Sequence, residues 1–556
     1  MNITDLIAKL VASAIRKSEI AKDIPDSLIS QLTVERPQKA EHGDFASSLP
    51  LKLAGPLRTN PVEIAKRLAA HVPPNAAVER VWGAPPGFLN FSLSTNWLAG
   101  QIDVIREAGT SYGNVDIGAG RRVQVEFVSI NPTGPLHVGH ARGAAFGSGL
   151  ANILEAAGYE VHREYFVNDA GTQMELFNRT LYARYKQQLG IDVAIPEDGY
   201  QGAYMVDLAR EILEGSSDRF LSMDEEQALE ELGELGLERM LYQIRTDLED
   251  LRVTYDVWFS ERTLYSDGQY DSAMEILKEK GLLVERDNAT WFASSTLGDD
   301  DDKVLVRSTG DPSYFASDVA YHYDKLLRRK FDRVINVWGA DHQGHRRFFP
   351  ALAVALGVPQ QCLKLVIYQL VTLRRGEEIV RLSKRAGDII TLRELVDEVG
   401  ADACRYFFLA RSPQSQMDFD LELAKEQSPE NPVYYVQYGH ARIAGILRLA
   451  KERGIEYGDG DLSLISHEAE LALIRKMLVL PELMEKMAST LEPHHLPHYA
   501  LELASTFHTF YDNCRVVSSE PGEEQITKAR LKLTEAASVV LARCLELMSM
   551  SAPEEM

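Results

Sequence analysis

The chain has 556 residues, of which 45% are hydrophobic and 25% charged, with a formal net charge of −23. That length exceeds what one core serves and predicts three or four domains of an ordinary soluble globular protein, and no apolar run approaches a membrane span. The four cysteines (Cys362, Cys404, Cys514, Cys544) lack CxxC spacing, which argues for a reducing compartment, with the cytoplasm the natural address, and against a structural zinc; no metal site is expected. The charge argues against a nucleic-acid partner but does not exclude one. Phosphate binding needs only a local basic surface, and much of the acid sits in Asp299–Asp302 and Asp224–Glu238.

Residues 1 to about 115 read as a separate α+β domain. Ile3, Leu6, Ile7, Leu10 and Ile15 follow a helical period with no cleavage site behind them, so the start is an amphipathic helix and not a signal peptide. HGDFASSLPLKLA (His42 to Ala54) follows, and Asn60 then caps a helix with Pro61 in its first position. GAPPGFLNFSLS (Gly83 to Ser94) is a turn running into a strand, where Phe88 packs inward or faces a ligand, and Asn90 caps the turn or contacts one.

From 116 to about 410 strands and helices alternate, which predicts a parallel α/β sheet. VQVEFVSINPTGPLHVGH (Val123 to His140) is a strand, a Gly/Pro loop and the start of a small-residue helix running to Gly158. A second strand lies near Glu160 to Val167, and a helical insertion over about 170–286 contains GYQGAY (Gly199 to Tyr204). The sheet is expected to resume at Lys303 to Arg307, then Asp332 to Trp338 and Lys364 to Val371. Such a sheet has a crevice at the carboxyl ends of its central strands. Beyond about Arg411 strand patterns stop, and SPQSQMDFDLELAKEQSPENP reads as a linker before an all-helical domain.

Four clusters carry chemistry. His137 and His140 stand at a helix N-terminus, where free N–H groups and the helix dipole favour phosphate. They are phosphate donors, a satisfied helix-start pair, or two metal ligands. In VINVWGADHQGH, Gly339, Asp341 and His342 form a turn that lets a ring and ribose approach, or a capped helix start. IVRLSKRAG (Ile379 to Gly387) is a Gly-flanked cationic loop suited to a lid. Glu126 lies inside a strand and demands a cation, while Tyr314, Asp318 and Tyr321 share one helical face. Two acids and a tyrosine suit a guanidinium; alternatively both acids pair with internal arginines. In the helical part, Tyr434, Tyr438 and Arg442 follow one another a turn apart, and FHTFYDNCRVV (Phe507 to Val516) offers a second face, either for stacked bases or for the core.

HVGH resembles the HIGH signature of class I aminoacyl-tRNA synthetases, and the longer EFVSINPTGPLHVGHARGA resembles the arginyl-tRNA synthetases. IVRLSKRAG resembles their KMSKS loop, with Arg381, Leu382 and Arg385 as departures and Lys384 retained. HGDF, PGFLNF, GYQGAY and the final SAPEEM resemble further segments of the family, so the likeness spans essentially the whole chain. It implies a Rossmann-type catalytic domain between an N-terminal domain that binds the tRNA elbow and a helical anticodon-binding domain. It implies a ligase that joins L-arginine to tRNA(Arg) with ATP and Mg²⁺, usually as a monomer, with tRNA needed even for the first step. Catalysis would fall to His137, His140 and Lys384 through preorganised positive charge. Pro135, Gly139, Gly339, Asp341 and His342 would join them around ATP. Glu126, Ser129, Asn131, His140, Tyr314 and Asp318 would line the arginine pocket. Phe88, Asn90, Tyr434, Tyr438 and Arg442 would touch tRNA. A class I synthetase for another amino acid, or a non-catalytic tRNA-binding relative, are the alternatives.

Overall fold

The computed structural model of the chain describes residues 3–19, 32–380 and 390–556. Its first sheet joins β1 (Phe45–Ser47), β2 (Val78–Ala84) and β3 (Phe88–Leu93) in the order β1-β3-β2, all antiparallel. Helices Ile3–Lys17, Leu49–Leu57 and Pro61–His71 accompany it. The third starts as its sequence dictates: Asn60 Oδ1 accepts the Val62 N–H at 2.8 Å, and Pro61 fills a position that needs no donor.

The central sheet contains β4 (Arg122–Phe127), β5 (Glu160–Val167) and β6 (Val257–Ser260). An antiparallel ribbon of β7 (Leu283–Arg286), β8 (Ala289–Phe292) and β9 (Lys303–Val306) intervenes, and then β10 (Arg333–Gly339) and β11 (Leu363–Tyr368) complete the sheet. Its order is β11-β10-β4-β5-β6, and every pair is parallel. The chain therefore leaves β4 toward one edge and returns to its other side at β10. That reversal opens a crevice between β4 and β10, where ligands bind in sheets of this kind. Gln124 to Phe127 are all buried, as expected of a central strand covered on both faces.

Several segments differ from the sequence reading, the ribbon strand Leu283–Arg286 at the end of the expected helical insertion among them. Val257–Ser260 lies inside the stretch expected to be a helical insertion, yet it rejoins the sheet as an edge strand. Four residues between long helices are too few to establish a period of two. Lys303–Val306 belongs to the antiparallel ribbon and not to the parallel sheet, a pairing that its own alternation cannot specify. Met417–Asp420 forms β14, which pairs in parallel with β12 (Val371–Arg375), itself joined to β13 (Glu378–Ile379). Met417 and Phe419 are buried there, a two-residue alternation hidden in a polar segment.

The inserted helices Thr172–Gln188, Ala203–Ser216 and Glu225–Asp250 have a core of their own. Helices Pro432–Glu452, Glu468–Met477, Leu480–Thr490, His495–Asn513 and Glu524–Leu547 form the C-terminal bundle. Its core is continuous with those of the central sheet and the N-terminal layer. Among the described residues no helix is long and apolar enough to cross a membrane.

Candidate active site

The loop from β4 to the helix Val138–Ala156 leaves the sheet at the β4/β10 reversal. It begins with two non-glycine residues in the left-handed region, Val128 at φ 69° and Ser129 at φ 43°. Such backbone costs on the order of 1–3 kcal/mol per residue and persists only where neighbours enforce it. Those neighbours are specific. Ser129 Oγ accepts the Phe166 N–H at 3.1 Å, and Asn168 Nδ2 donates to Ser129 O at 3.2 Å. Asn131, beyond this anchored start, is exposed, while Pro135 and Gly139 are half-buried.

His137 caps the helix. Its Nδ1 accepts the Gly139 N–H at 3.1 Å, and His140 Nδ1 accepts the His137 N–H at 3.2 Å, with the two rings stacked 3.5 Å apart. A ring nitrogen that accepts carries no proton, so each neutral imidazole keeps its hydrogen on Nε2. Burial pushes the His137 pKa down, against the nearby Asp341 carboxylate, and pushes His140 down to about 3. The expected positive charge is therefore not on these rings. They are neutral Nε2–H donors, and the fixed positive field at this point is that of the helix N-terminus. The helix-start alternative and the phosphate-donor alternative are thus compatible, since capping uses only Nδ1.

Two more segments close on this turn. Gly339 ends β10 and Asp341 and His342 follow it, both exposed, with His342 Nε2 3.5 Å from the Asp341 carboxylate. On the other side Val138 N donates to Ile390 O at 3.3 Å, and Leu392 N donates to Leu136 O at 2.8 Å. The polypeptide just after IVRLSKRAG is thereby pinned to the His137 turn. Lys384 and its neighbours Arg381, Leu382 and Arg385 lie outside the described residues.

The acids of the expected guanidinium pocket have different surroundings. Glu126 is 2% exposed; its Oε2 accepts Lys325 Nζ at 2.6 Å and its Oε1 accepts Trp338 Nε1 at 3.3 Å. The internal-cation alternative holds for Glu126, with a lysine where an arginine was expected. Asp318, with 19% of its side chain exposed, lies 3.5 Å from His345 Nε2. Tyr314, on the same helix face, is 61% exposed. Trp338, His342 and His345 pack ring against ring and link Asp318 to the Asp341 turn. Lys325, Trp338 and His345 line the candidate site and were not singled out from the sequence, although Trp338 and His345 fall inside the VINVWGADHQGH string.

Comparison with known proteins decides the family. Three family models match in chain order: "Arginyl tRNA synthetase N terminal domain" over residues 5–93, "tRNA synthetases class I (R), catalytic domain" over 103–414, and "DALR anticodon binding domain" over 436–556. The chain is 54% identical over 554 residues to an arginine–tRNA ligase of Dehalococcoides mccartyi, covering 100% of this chain and 99% of that relative. The chain belongs to the arginyl-tRNA synthetase family. An arginine–tRNA ligase of Carboxydothermus hydrogenoformans is 48% identical over 98% of each chain. The Thermus thermophilus arginyl-tRNA synthetase structure shares the fold with a TM-score of 0.76, covering 100% of each chain at 24% identity.

Arginyl-tRNA synthetases have an RNA surface to place, and the candidates for it here separate clearly. Phe88 is half-exposed at the start of β3. Asn90, favoured from sequence as a contact, is instead 1% exposed, because β3 is the middle strand and register puts Asn90 between Ala46 and Trp82. Tyr434 and Tyr438 stack nearly parallel, 5.8 Å apart, on the helix Pro432–Glu452. Arg442 is wedged between the Tyr438 and Tyr511 rings and donates to Tyr438 Oη at 2.8 Å and His508 Nδ1 at 3.1 Å. Burial, with Arg442 beside it, pushes His508 down to about 4, so that ring is neutral. The C-terminal tail lies along the same helix: Gln437 Nε2 donates to Ser551 O at 3.1 Å, and His440 Nδ1 donates to Pro553 O at 2.9 Å.

Proposed function

We propose that the protein activates L-arginine with ATP and transfers it to the 3′-terminal adenosine of tRNA(Arg). One observation carries the reading: an anion-binding helix start and a partly open carboxylate share one crevice. Asp318 contacts His345, whose ring packs on His342 beside Asp341, the carboxylate whose field reaches His137. Phosphate and guanidinium ends of the two substrates are thus served from one continuous surface.

In the first step an oxygen of the arginine carboxylate attacks the α-phosphorus, and the bond to the β,γ-pyrophosphate breaks. His137 and His140 donate Nε2–H hydrogen bonds as negative charge spreads over the phosphoryl oxygens, and the ammonium of Lys384 pairs with the departing pyrophosphate. Gly339, Asp341 and His342 border the nucleotide, whose Mg²⁺ arrives with it. Asp318 and Tyr314 take the guanidinium, Asn131 and Ser129 border the arginine backbone, and Glu126, neutralised by Lys325, backs the pocket. In the second step the 2′-hydroxyl of the terminal adenosine attacks the arginyl carbonyl and AMP leaves. Phe88 and the Tyr434–Tyr438–Arg442 stack are the surfaces that we assign to tRNA.

The test is transfer of radiolabelled arginine to total tRNA with ATP and Mg²⁺, with lysine and glutamine in parallel. Charging with arginine alone is expected. Charging with a different amino acid would remove the pocket at Asp318, and tight tRNA binding without charging would leave only a binding protein.

A further inference from the structure

GYQGAY, Gly199 to Tyr204, takes no part in the chemistry above, yet it ends against the catalytic loop. Tyr204 stands in the first turn of the helix Ala203–Ser216, and its Oη donates to Thr133 O at 2.7 Å. Two other phenols grip the same stretch: Tyr255 Oη donates to Phe127 O and Tyr165 Oη to Ile130 O, each at 3.1 Å. The acceptors at 127, 130 and 133 are evenly spaced, and each meets a tyrosine. Tyr165 is on β5 and Tyr255 just precedes β6, so both belong to the sheet. Tyr204 reaches the loop from the inserted helices.

This loop needs an external hold. It starts with the left-handed Val128 and Ser129, a conformation that relaxes when its restraints are removed. It ends at His137, only four residues past Thr133, so slack at Thr133 reaches the imidazole that caps the helix. The rest of GYQGAY builds the anchor. Tyr200 Oη donates to Gln173 Oε1 at 2.7 Å and Tyr200 N to Thr180 Oγ1 at 3.4 Å, which ties the turn to the helix Thr172–Gln188. A β-carbon on Gly202 would stand 2.4 Å from the Tyr204 ring, and one on Gly134 would stand 3.2 Å from its Oη. Glycine at both places lets the phenol close on the loop backbone. Burial pushes the Tyr204 pKa well up, so the hydroxyl remains a donor.

We propose that Tyr204 is a positioning residue for adenylate formation, through which the inserted helices hold the Thr133–Gly134 turn and so place the His137 donor. The inference rests on the ATP-dependent reading given above.

Tyr204→Phe keeps the ring and removes only the donor. The control is Tyr406→Phe, which removes a still more deeply buried phenol-to-carbonyl bond (to Pro497 O, 3.2 Å) in another part of the molecule. Two readouts are taken on the full chain. Hydrogen–deuterium exchange follows peptides covering Ile130 to His137, and arginine-dependent ATP–pyrophosphate exchange with tRNA present gives kcat and KM. Tyr204→Phe is expected to speed exchange in the loop and to lower kcat about ten-fold with KM for arginine unchanged, the pattern of a contact that matters in the transition state. Tyr406→Phe should change neither, whatever it does to Tm. Unchanged loop exchange in Tyr204→Phe overturns the anchor, and faster exchange with wild-type kcat overturns the positioning role. If the unmodified protein charged no tRNA, the functional reading and the positioning role would fall together, while loop exchange would still report separately on the anchor.

Discussion

Glu261, the residue after β6, is a carboxylate whose titration falls near neutrality. Burial, with Asp169 and Asp318 nearby, raises its pKa to about 7 against a hydrogen bond from Ser317. In the unfolded chain the same group releases its proton near 4.5. Between those values only the unfolded state gives up the proton. The favourable contribution is therefore complete below about pH 4.5 and is lost as pH rises through about 7. Glu261→Gln removes the penalty: it should be more stable than the parent at pH 8 by on the order of 1–3 kcal/mol and nearly equal to it at pH 4.5. Thermal unfolding at the two pH values checks this, and a variant that tracks the parent at both would refute it. None of this is legible locally, because the shift comes from groups far away along the chain. The histidine pair shows the opposite case. HVGH places both rings at a helix start, and the structure puts them there. Their charge state was not legible, since it depends on which ring nitrogen the backbone takes.

At the scale of elements, the helix Tyr314–Tyr323 is the one that joins pocket to sheet. It continues as a π-turn over Asp324–Arg328, which brings Lys325 under the Tyr321 ring, 3.7 Å from its centroid, and onto Glu126 of β4. Both charges are out of water, with side-chain exposures of 0% and 2%. Removing one partner strands the other, at a cost of about 3–5 kcal/mol, whereas replacing both is far milder. Lys325→Met should therefore lose that much stability in urea unfolding, and Glu126→Gln with Lys325→Met should recover more than half of the loss. A double variant as unstable as the single one would show that Lys325 matters through packing alone. The sequence shows that Glu126 needs a cation, because a carboxylate interrupts an apolar strand. It does not identify Lys325, which reaches the strand through a π-turn that a regular 3.6-residue period does not describe. The edge strand β6 escapes for a related reason, since four residues reveal an extended conformation only through the partner they pair with; β9 is legible as a strand, but not its place in the ribbon.

Across the whole molecule, the N-terminal layer reads as a detachable unit in sequence and is not packed as one. Ile7, Val11, Phe91 and Leu98 belong to the same continuous core as Val125 of the sheet and Leu480 and Leu541 of the C-terminal bundle. Polar contacts cross the same boundary. Glu482 accepts from Thr4 at 2.6 Å and from Arg36 at 3.1 Å, Arg475 donates to Asp44 at 2.5 Å, and Lys532 donates to Asp103 at 2.8 Å. Tyr112 Oη reaches Met477 O at 3.2 Å. Composition and motif order locate such a layer, but they carry no information about which surface covers it. These ion pairs are partly buried, and the much larger shared apolar face dominates. Removing residues 1–115 would then uncover part of the bundle and of the sheet's own core, unlike the loss of a module on a flexible linker. The truncated chain 116–556 is expected to bind a hydrophobic dye, to aggregate on concentration, and to unfold at least ~5 °C below the full chain. Calorimetry and light scattering on the two proteins decide the point. A truncated chain that stays monomeric with an unchanged Tm would mean that the N-terminal layer rests on the bundle without supporting it, leaving the RNA contact proposed at Phe88 as its role.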